Sequence, residues 1–180
     1  MKINIGCGYN KKEDFINIDG DPKCSPDILM DLETERIPIE DSSVEFVQAH
    51  HILEHIGSGF FHLLQELYRV CSDGAIIDIV VPHYLHITFA ADPTHVRPIT
   101  TEGLRLFSKK HNLEDMEKNG SASKLGLRFD VDFEIVSSTF EIDPFYFGIL
   151  ETMDDLSRIR LGREGTNVAM TESIKRQVIK

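Results

Sequence analysis

The chain has 180 residues, 41% hydrophobic and 27% charged, the composition of one ordinary globular domain with a single sizeable core. Its 30 acidic against 19 basic side chains leave a formal charge of −11, a surface that repels phosphate backbones. Lys109-Lys110 and the arginines between positions 158 and 163 are too short and scattered to make a basic patch, so no nucleic-acid partner is expected and a small or cationic substrate is favoured.

In chain order, Ile3–Ile5 reads as a short apolar strand running into Gly6-Cys7-Gly8, and Phe15–Ile18 as a second strand ending on Asp19. After the turn marked by Pro22, Ser25 and Pro26, positions 27–32 suggest a third strand, and Val44–Ala49 a fourth. Phe60, Leu63, Leu64, Leu67, Tyr68 and Cys71 fall on one face of a helix that Asp73-Gly74 is expected to stop. Ala75–Val81 follows as a nearly continuous apolar strand, which predicts a sheet covered on both faces. From His83 to Arg97 there is no clear period. Thr100 or Thr101 can cap a helix to about His111, with Lys109 and Lys110 in its last turn. Positions 117–126 read as a polar loop. Phe129, Val131, Phe133 and Ile135 alternate with acids in a strand continuing towards Ile142. Tyr146, Ile149, Leu150, Met153 and Leu156 suggest a helix, and Ser173–Ile179 a final edge strand. Strand, helix and buried strand in this order predict an α/β fold with a mostly parallel sheet and an antiparallel strand near the C-terminus.

The Gly-x-Gly turn and the acid after it carry the most chemistry. Neither glycine has a Cβ to keep a ligand from the backbone, and an acid ending the next strand is where α/β folds hold the hydroxyls of a ribose. A dinucleotide fingerprint needs a third glycine three residues after Gly8, where Lys11 stands, and an acid some way beyond Asp19. The stretch from Tyr9 to Asp14 leaves barely one helical turn, so no full helix dipole faces a diphosphate. A phosphate-free adenosyl group loses least from this compression.

Several stretches taken together are similar to class I S-adenosylmethionine-dependent methyltransferases, and more closely to the small type 11 group. They are Ile3-Asn4-Ile5-Gly6-Cys7-Gly8, Asn17-Ile18-Asp19, Asp31-Leu32 with Ile37-Pro38, and His50-His51-Ile52-Leu53-Glu54-His55. Glu66 to Gly74 resembles the E-x-x-R-V-L-K-P-G-G turn of that group, and Asp92-Pro93-Thr94-His95-Val96-Arg97 resembles another of its motifs. The match covers roughly residues 2 to 110 and implies a Rossmann-like class I sheet with a shortened first helix. It implies S-adenosylmethionine as cofactor, with Gly6, Cys7 and Gly8 along its methionine part. Asp19 would be on the ribose, Asp31 and Leu32 beside the adenine, and His50 and His51 near the sulfonium. The sequence departs from the pattern at Asn4, where an acid is common, and at Asn10, where a third glycine is common. The expected layout is one domain over 1–180: a cofactor half over 1–82, a substrate-side insertion over 83–127, and C-terminal strands and a helix over 128–180.

The chemistry expected is methyl transfer to a small-molecule acceptor such as a sugar or a carboxylate, an in-line displacement in which positioning dominates. Where the acceptor must lose a proton, His83 or His95 is the candidate base, with Asp92 and Arg97 on the substrate. Against this stands a plain ion-paired loop of Asp92, His95 and Arg97. Two alternatives remain: a silent cofactor-binding module of the same fold, or a metal-dependent hydrolase on His83, His86, Asp92 and His95. No bound metal is expected. Glu54 and His55 read as structural, Leu53 and Ile56 as core, and His62 and His111 as solvated. Phe145-Tyr146-Phe147 reads as a packed helix face or a homodimer contact, or else as a substrate lid. Cys7, Cys24 and Cys71 form no Cys-x-x-Cys pair and no even set. With no apolar leader and no run long enough for a bilayer, a cytoplasmic protein without membrane contact is expected.

Overall fold

The computed structural model describes residues 1–142 and 170–178. Seven strands form one sheet: β1 (Lys2–Ile5), β2 (Ile16–Asp19), β3 (Ile28–Leu29), β4 (Val44–His50), β5 (Cys71–Pro82), β6 (Phe133–Ile142) and β7 (Met170–Val178), in the order β3-β2-β1-β4-β5-β7-β6. The first five are mutually parallel, and β7 is inserted antiparallel between β5 and β6. The stretch at the C-terminus is therefore an interior strand and not the edge strand its sequence suggests. The chain runs outward from β1 through β3 and returns to β4 on the other side of β1. The crevice above β1 and β4 is thus the switch point where open α/β sheets bind ligands.

One sheet face carries the core. Ile3, Ile5, Ile18, Val47, Ala49, Ile77 and Ile79 are each at most 2% exposed. Helix α1 (Phe60–Val70) buries Phe60, Leu63, Leu64 and Leu67, as its period requires. The opposite face differs from the expectation of two covered faces: Phe46, Gln48, His50, Ile76, Asp78 and Val80 all stay partly exposed. In place of a first helix, residues 6–15 are stapled by amides on this face. Asn17 Oδ1 accepts the Lys12 N–H at 2.8 Å and Asn4 Nδ2 at 3.1 Å, while Asn17 Nδ2 donates to the Lys12 and Phe15 carbonyls and to Asp27 Oδ2. Asn4 Nδ2 also donates to the Asn10 carbonyl, and Gln48 Nε2 to Asn4 Oδ1. Asn4 and Asn17 are 2% and 3% exposed, so their satisfied amides replace the apolar surface a packed helix would need.

Other boundaries moved for local reasons. α1 ends at Val70, and Asp73-Gly74 lies within β5, where the register to β4 shifts and Gly74 adopts φ +76°. The expected single helix from Thr101 to His111 is two, α3 (Thr101–Arg105) and α4 (Lys109–Glu117), preceded by α2 (Ile87–Ala91). Thr100 Oγ1 caps α3 by accepting the Gly103 N–H, and Ser108 Oγ caps α4 by accepting the His111 N–H. Lys109 and Lys110 therefore open a helix instead of closing one. α4 occupies the start of the expected polar loop, and α5 (Leu125–Phe129) takes Phe129 out of β6. The helix expected around 146–156 and the aromatic stretch 145–147 lie outside the described residues. No helix among the described residues is long and apolar enough to cross a membrane.

The Glu66-x-x-Arg69 pair forms a clamp on the segment before β4. Arg69 donates to both Glu66 oxygens at 2.6 and 2.9 Å, to the carbonyls of Ile37 and Ile39, and to Asp41 Oδ1 at 2.6 Å. Glu66 Oε2 also accepts the Ile37 N–H. The guanidinium holds the Glu66 carboxyl below its ordinary range.

Candidate functional site

β1 ends in Gly6, which sits at φ +62°; a Cβ there would lie 2.6 Å from Ile52 Cβ, just beyond the end of β4. Both the backbone conformation and the space demand glycine. Gly8 is also left-handed, at φ +49°, and faces open space. Its N–H donates to Asp19 Oδ2 at 2.7 Å, while Asp19 Oδ1 accepts the Asp21 N–H at 2.8 Å. The acid at the end of β2 thus fixes the glycine turn and the turn after β2 together.

Gly6, Asp19, Met30, Asp31, Leu32 and Ile52 line one open cleft of about 350 Å3, with Gly20, Glu33 and Ile56 completing it. Four of the sequence-derived cofactor residues, Gly6, Asp19, Asp31 and Leu32, therefore meet in one place. Asp31 Oδ1 accepts the Glu33 N–H and Oδ2 the Thr34 hydroxyl, and these bonds lower its pKa, the Glu33 N–H most. Met30, Glu33, Ile52 and Ile56 were missed. Glu33 binds the N–H groups of Gly59 and Gly57 at 2.9 and 3.1 Å, which lower its own pKa in that order and brace the entry to α1. Its signal in the sequence was only its place beside Asp31-Leu32.

The other residues lie elsewhere. Cys7 is buried, its N–H donates to the Ile18 carbonyl, and burial above all keeps its thiol pKa raised. His50 points from the partly exposed sheet face, its Nε2 3.0 Å from Asp78 Oδ2. His51 takes φ +54° with Nδ1 3.5 Å from Glu54 Oε1, and that carboxylate raises its pKa.

On the substrate side, His83 packs against Tyr84 at 4.5 Å and its Nδ1 accepts the Leu85 N–H, while His86 Nδ1 caps α2 at the Thr88 N–H. His95 instead packs on His55, ring centroids 4.6 Å apart. Asp92 Oδ1 accepts the Thr94 N–H and hydroxyl, leaving Oδ2 3.8 Å from His95 Nε2. The Arg97 guanidinium lies 4.5 Å from the Phe60 ring centroid and donates to the Gly57 carbonyl. It lines a second, mostly apolar pocket of about 180 Å3 between Phe60, Phe61, Ile99 and Phe107. Among the described residues the group that can hold a metal ion is Glu54, His55 and His95, not the expected set of His83, His86, Asp92 and His95.

This sheet order, with its glycine turn at the switch point, is the class I methyltransferase fold. The chain is similar in structure to YcgJ from Bacillus subtilis, at 12% identity and TM-score 0.60, over 99% of this chain and 91% of that one. It is similar to an S-adenosylmethionine-dependent methyltransferase from Archaeoglobus fulgidus, at 19% identity and TM-score 0.58, over 98% of this chain and 85% of that one. It also resembles the cyclase SpnF, at 13% identity and TM-score 0.57, over 99% and 74% of the two chains. No family model and no curated protein matches the chain. The likeness is one of fold, and a cyclase among the neighbours shows that this fold carries more than one chemistry.

Proposed function

We propose that the protein binds S-adenosylmethionine in the Gly6–Asp19–Asp31 cleft and transfers its methyl group to a small-molecule acceptor. The observation that carries the reading is one cleft lined together by Gly6, left-handed and packed without a Cβ against Ile52, and by Asp19 and Asp31. The residues present fit an adenosyl group. Asp19 retains lone pairs for a pair of hydroxyls, and Met30, Leu32, Ile52 and Ile56 give a flat base an apolar slot. When bound, the cofactor supplies an electrophilic methyl group. The chain's own part is to orient and shield it.

In this reading the acceptor side is the His83–Arg97 segment beyond the end of β5, with His83 the candidate base and Asp92 and Arg97 the candidate acceptor-binding groups. A net charge of −11 favours a small acceptor over a polyphosphate. Calorimetric titration with S-adenosylmethionine and S-adenosylhomocysteine tests the binding, and transfer of a labelled methyl group across hydroxylated, carboxylated and amine acceptors tests the reaction. Binding without turnover on any acceptor would leave a silent module; no binding would end the reading.

A further inference from the structure

We infer that Glu54, His55 and His95 form a binding site for a divalent transition-metal ion, with zinc the expected occupant. The site goes beyond methyl transfer and needs no cofactor. Glu54 and His55 sit on the 3-10 turn Leu53–His55 after β4, and His95 on the loop after α2. The backbone joins them: the Glu54 carbonyl accepts the N–H groups of both Val96 and Arg97, at 2.9 and 3.2 Å. The strap carrying His95 is thereby fastened to the turn carrying the other two residues. One ligand atom from each of the three lies within 4.8 Å of the others.

Glu54 makes this more than a cluster. It is 1% exposed, and among the described residues neither carboxylate oxygen has a hydrogen-bond partner. Among the described residues its cationic contact is His51, whose Nδ1 lies 3.5 Å from Oε1, at the outer limit of a hydrogen bond, and nothing comparable faces Oε2. A buried carboxylate so poorly matched is costly unless a cation or a proton joins it.

The surrounding bonds prepare both imidazoles for a cation. Thr94 has one hydroxyl hydrogen, donated to Asp92 Oδ1 at 2.6 Å, so its oxygen accepts from His55 Nδ1–H at 2.9 Å. His95 Nδ1 faces the Phe89 carbonyl at 3.1 Å and can only donate to it. Each ring thus carries its proton on Nδ1 and its lone pair on Nε2. A carbonyl or a carboxylate-bound hydroxyl behind the other nitrogen is the usual support of a metal-ligating histidine. Asp92 Oδ2, 3.8 Å from His95 Nε2, stands ready to orient a water or act as a fourth ligand. Two imidazoles and a carboxylate select zinc or ferrous iron over magnesium and calcium, which take oxygen ligands.

The test uses the full chain stripped with EDTA and titrated with zinc chloride alone. One ion should bind per chain, with Glu54→Gln and His95→Gln each weakening it at least about a hundredfold and Asp92→Asn about tenfold. His55→Gln, at a less buried position, gives the same readout if either of the first two fails to fold. Cobalt(II) should give the visible bands of a tetrahedral nitrogen–oxygen site. A thiolate charge-transfer band would instead place the ion on Cys7, Cys24 or Cys71 and overturn the assignment. In EDTA, Glu54→Gln should melt no lower than the unaltered chain, and zinc should raise only the latter. If zinc raises neither and chelated Glu54→Gln melts lower, a shared proton neutralises Glu54 and the proposal fails. Because the cofactor takes no part, this outcome is separate from that of the methyltransferase reading.

Discussion

Replacing Asp19 with alanine removes two things at once. The carboxylate accepts the Gly8 and Asp21 N–H groups at 2.7 and 2.8 Å, and it lines the cleft. Hydrogen bonds to a charged acceptor contribute about 1.5–3 kcal/mol when well buried, and partial exposure here reduces the pair to about 1–2 kcal/mol of stability. Losing the paired bonds to a ribose costs a further 1.5–3 kcal/mol or so of binding, about 10- to 150-fold in Kd. Calorimetry with S-adenosylhomocysteine reads the affinity, and thermal unfolding of the same preparations reads the stability. Asp21→Ala is the control, since its carboxylate caps only the exposed Lys23 N–H and should change Kd less than about twofold. A lowered melting temperature with unchanged affinity in Asp19→Ala would show that the acid serves the turn alone, and the reasoning about the cleft would be wrong.

Gly6→Ala would force a left-handed alanine, at about 1–2 kcal/mol, against Ile52, so both folding stability and cofactor affinity should drop. An alanine variant that binds as tightly as the parent would remove the close-approach argument. Arg69→Met strands the Glu66 carboxylate and should cost about 3 kcal/mol, lowering Tm by about 6–12 °C for a chain of this length; a shift within 2 °C or so would show the clamp to be incidental. Stability should also fall in acid. The folded pKa of Glu66 is depressed below its ordinary value of 4.5, chiefly by Arg69, and Asp27 is depressed by the Asn17 N–H. Their contribution is fully present above about pH 4.5 and is lost as pH drops through the lower folded values. Urea midpoints between pH 5.5 and about 3 should decline less steeply in Arg69→Met than in the parent, and equal slopes would refute the coupling.

The sequence was legible where periodicity and backbone geometry agree. β1, β2, β4 and α1 follow from alternation, from the 3.6-residue period, and from glycines that only a close approach explains. It was less legible where a single hydrogen bond decides. Ser108 could be seen as a cap only once Glu134 and the His111 N–H were near it, so two helices read as one. Gly74 looked like a helix stop because a positive φ suits a C-cap as well as an irregular strand. In the candidate site, Asp19, Asp31 and Leu32 were readable because they end or follow strands. Glu54 was not: it belongs to a short turn, and the strap fastened to its carbonyl, which carries His95, lies forty residues further on. The expected grouping of His83 and His86 with His95 failed because α2 intervenes and commits the His86 ring to its own first turn.

The amide row of Asn17, Asn4 and Gln48 restricts how this scaffold can be remodelled. Grafting a full-length helix between β1 and β2, as an engineer seeking a longer turn at the switch point would do, would slide aliphatic side chains over three carboxamides: Gln48 is bound to Asn4 Oδ1, and Asn4 and Asn17 have loop carbonyls and a loop N–H as partners. Those partners would leave with the loop. Lengthening that connection therefore requires exchanging all three amides for apolar residues in the same step.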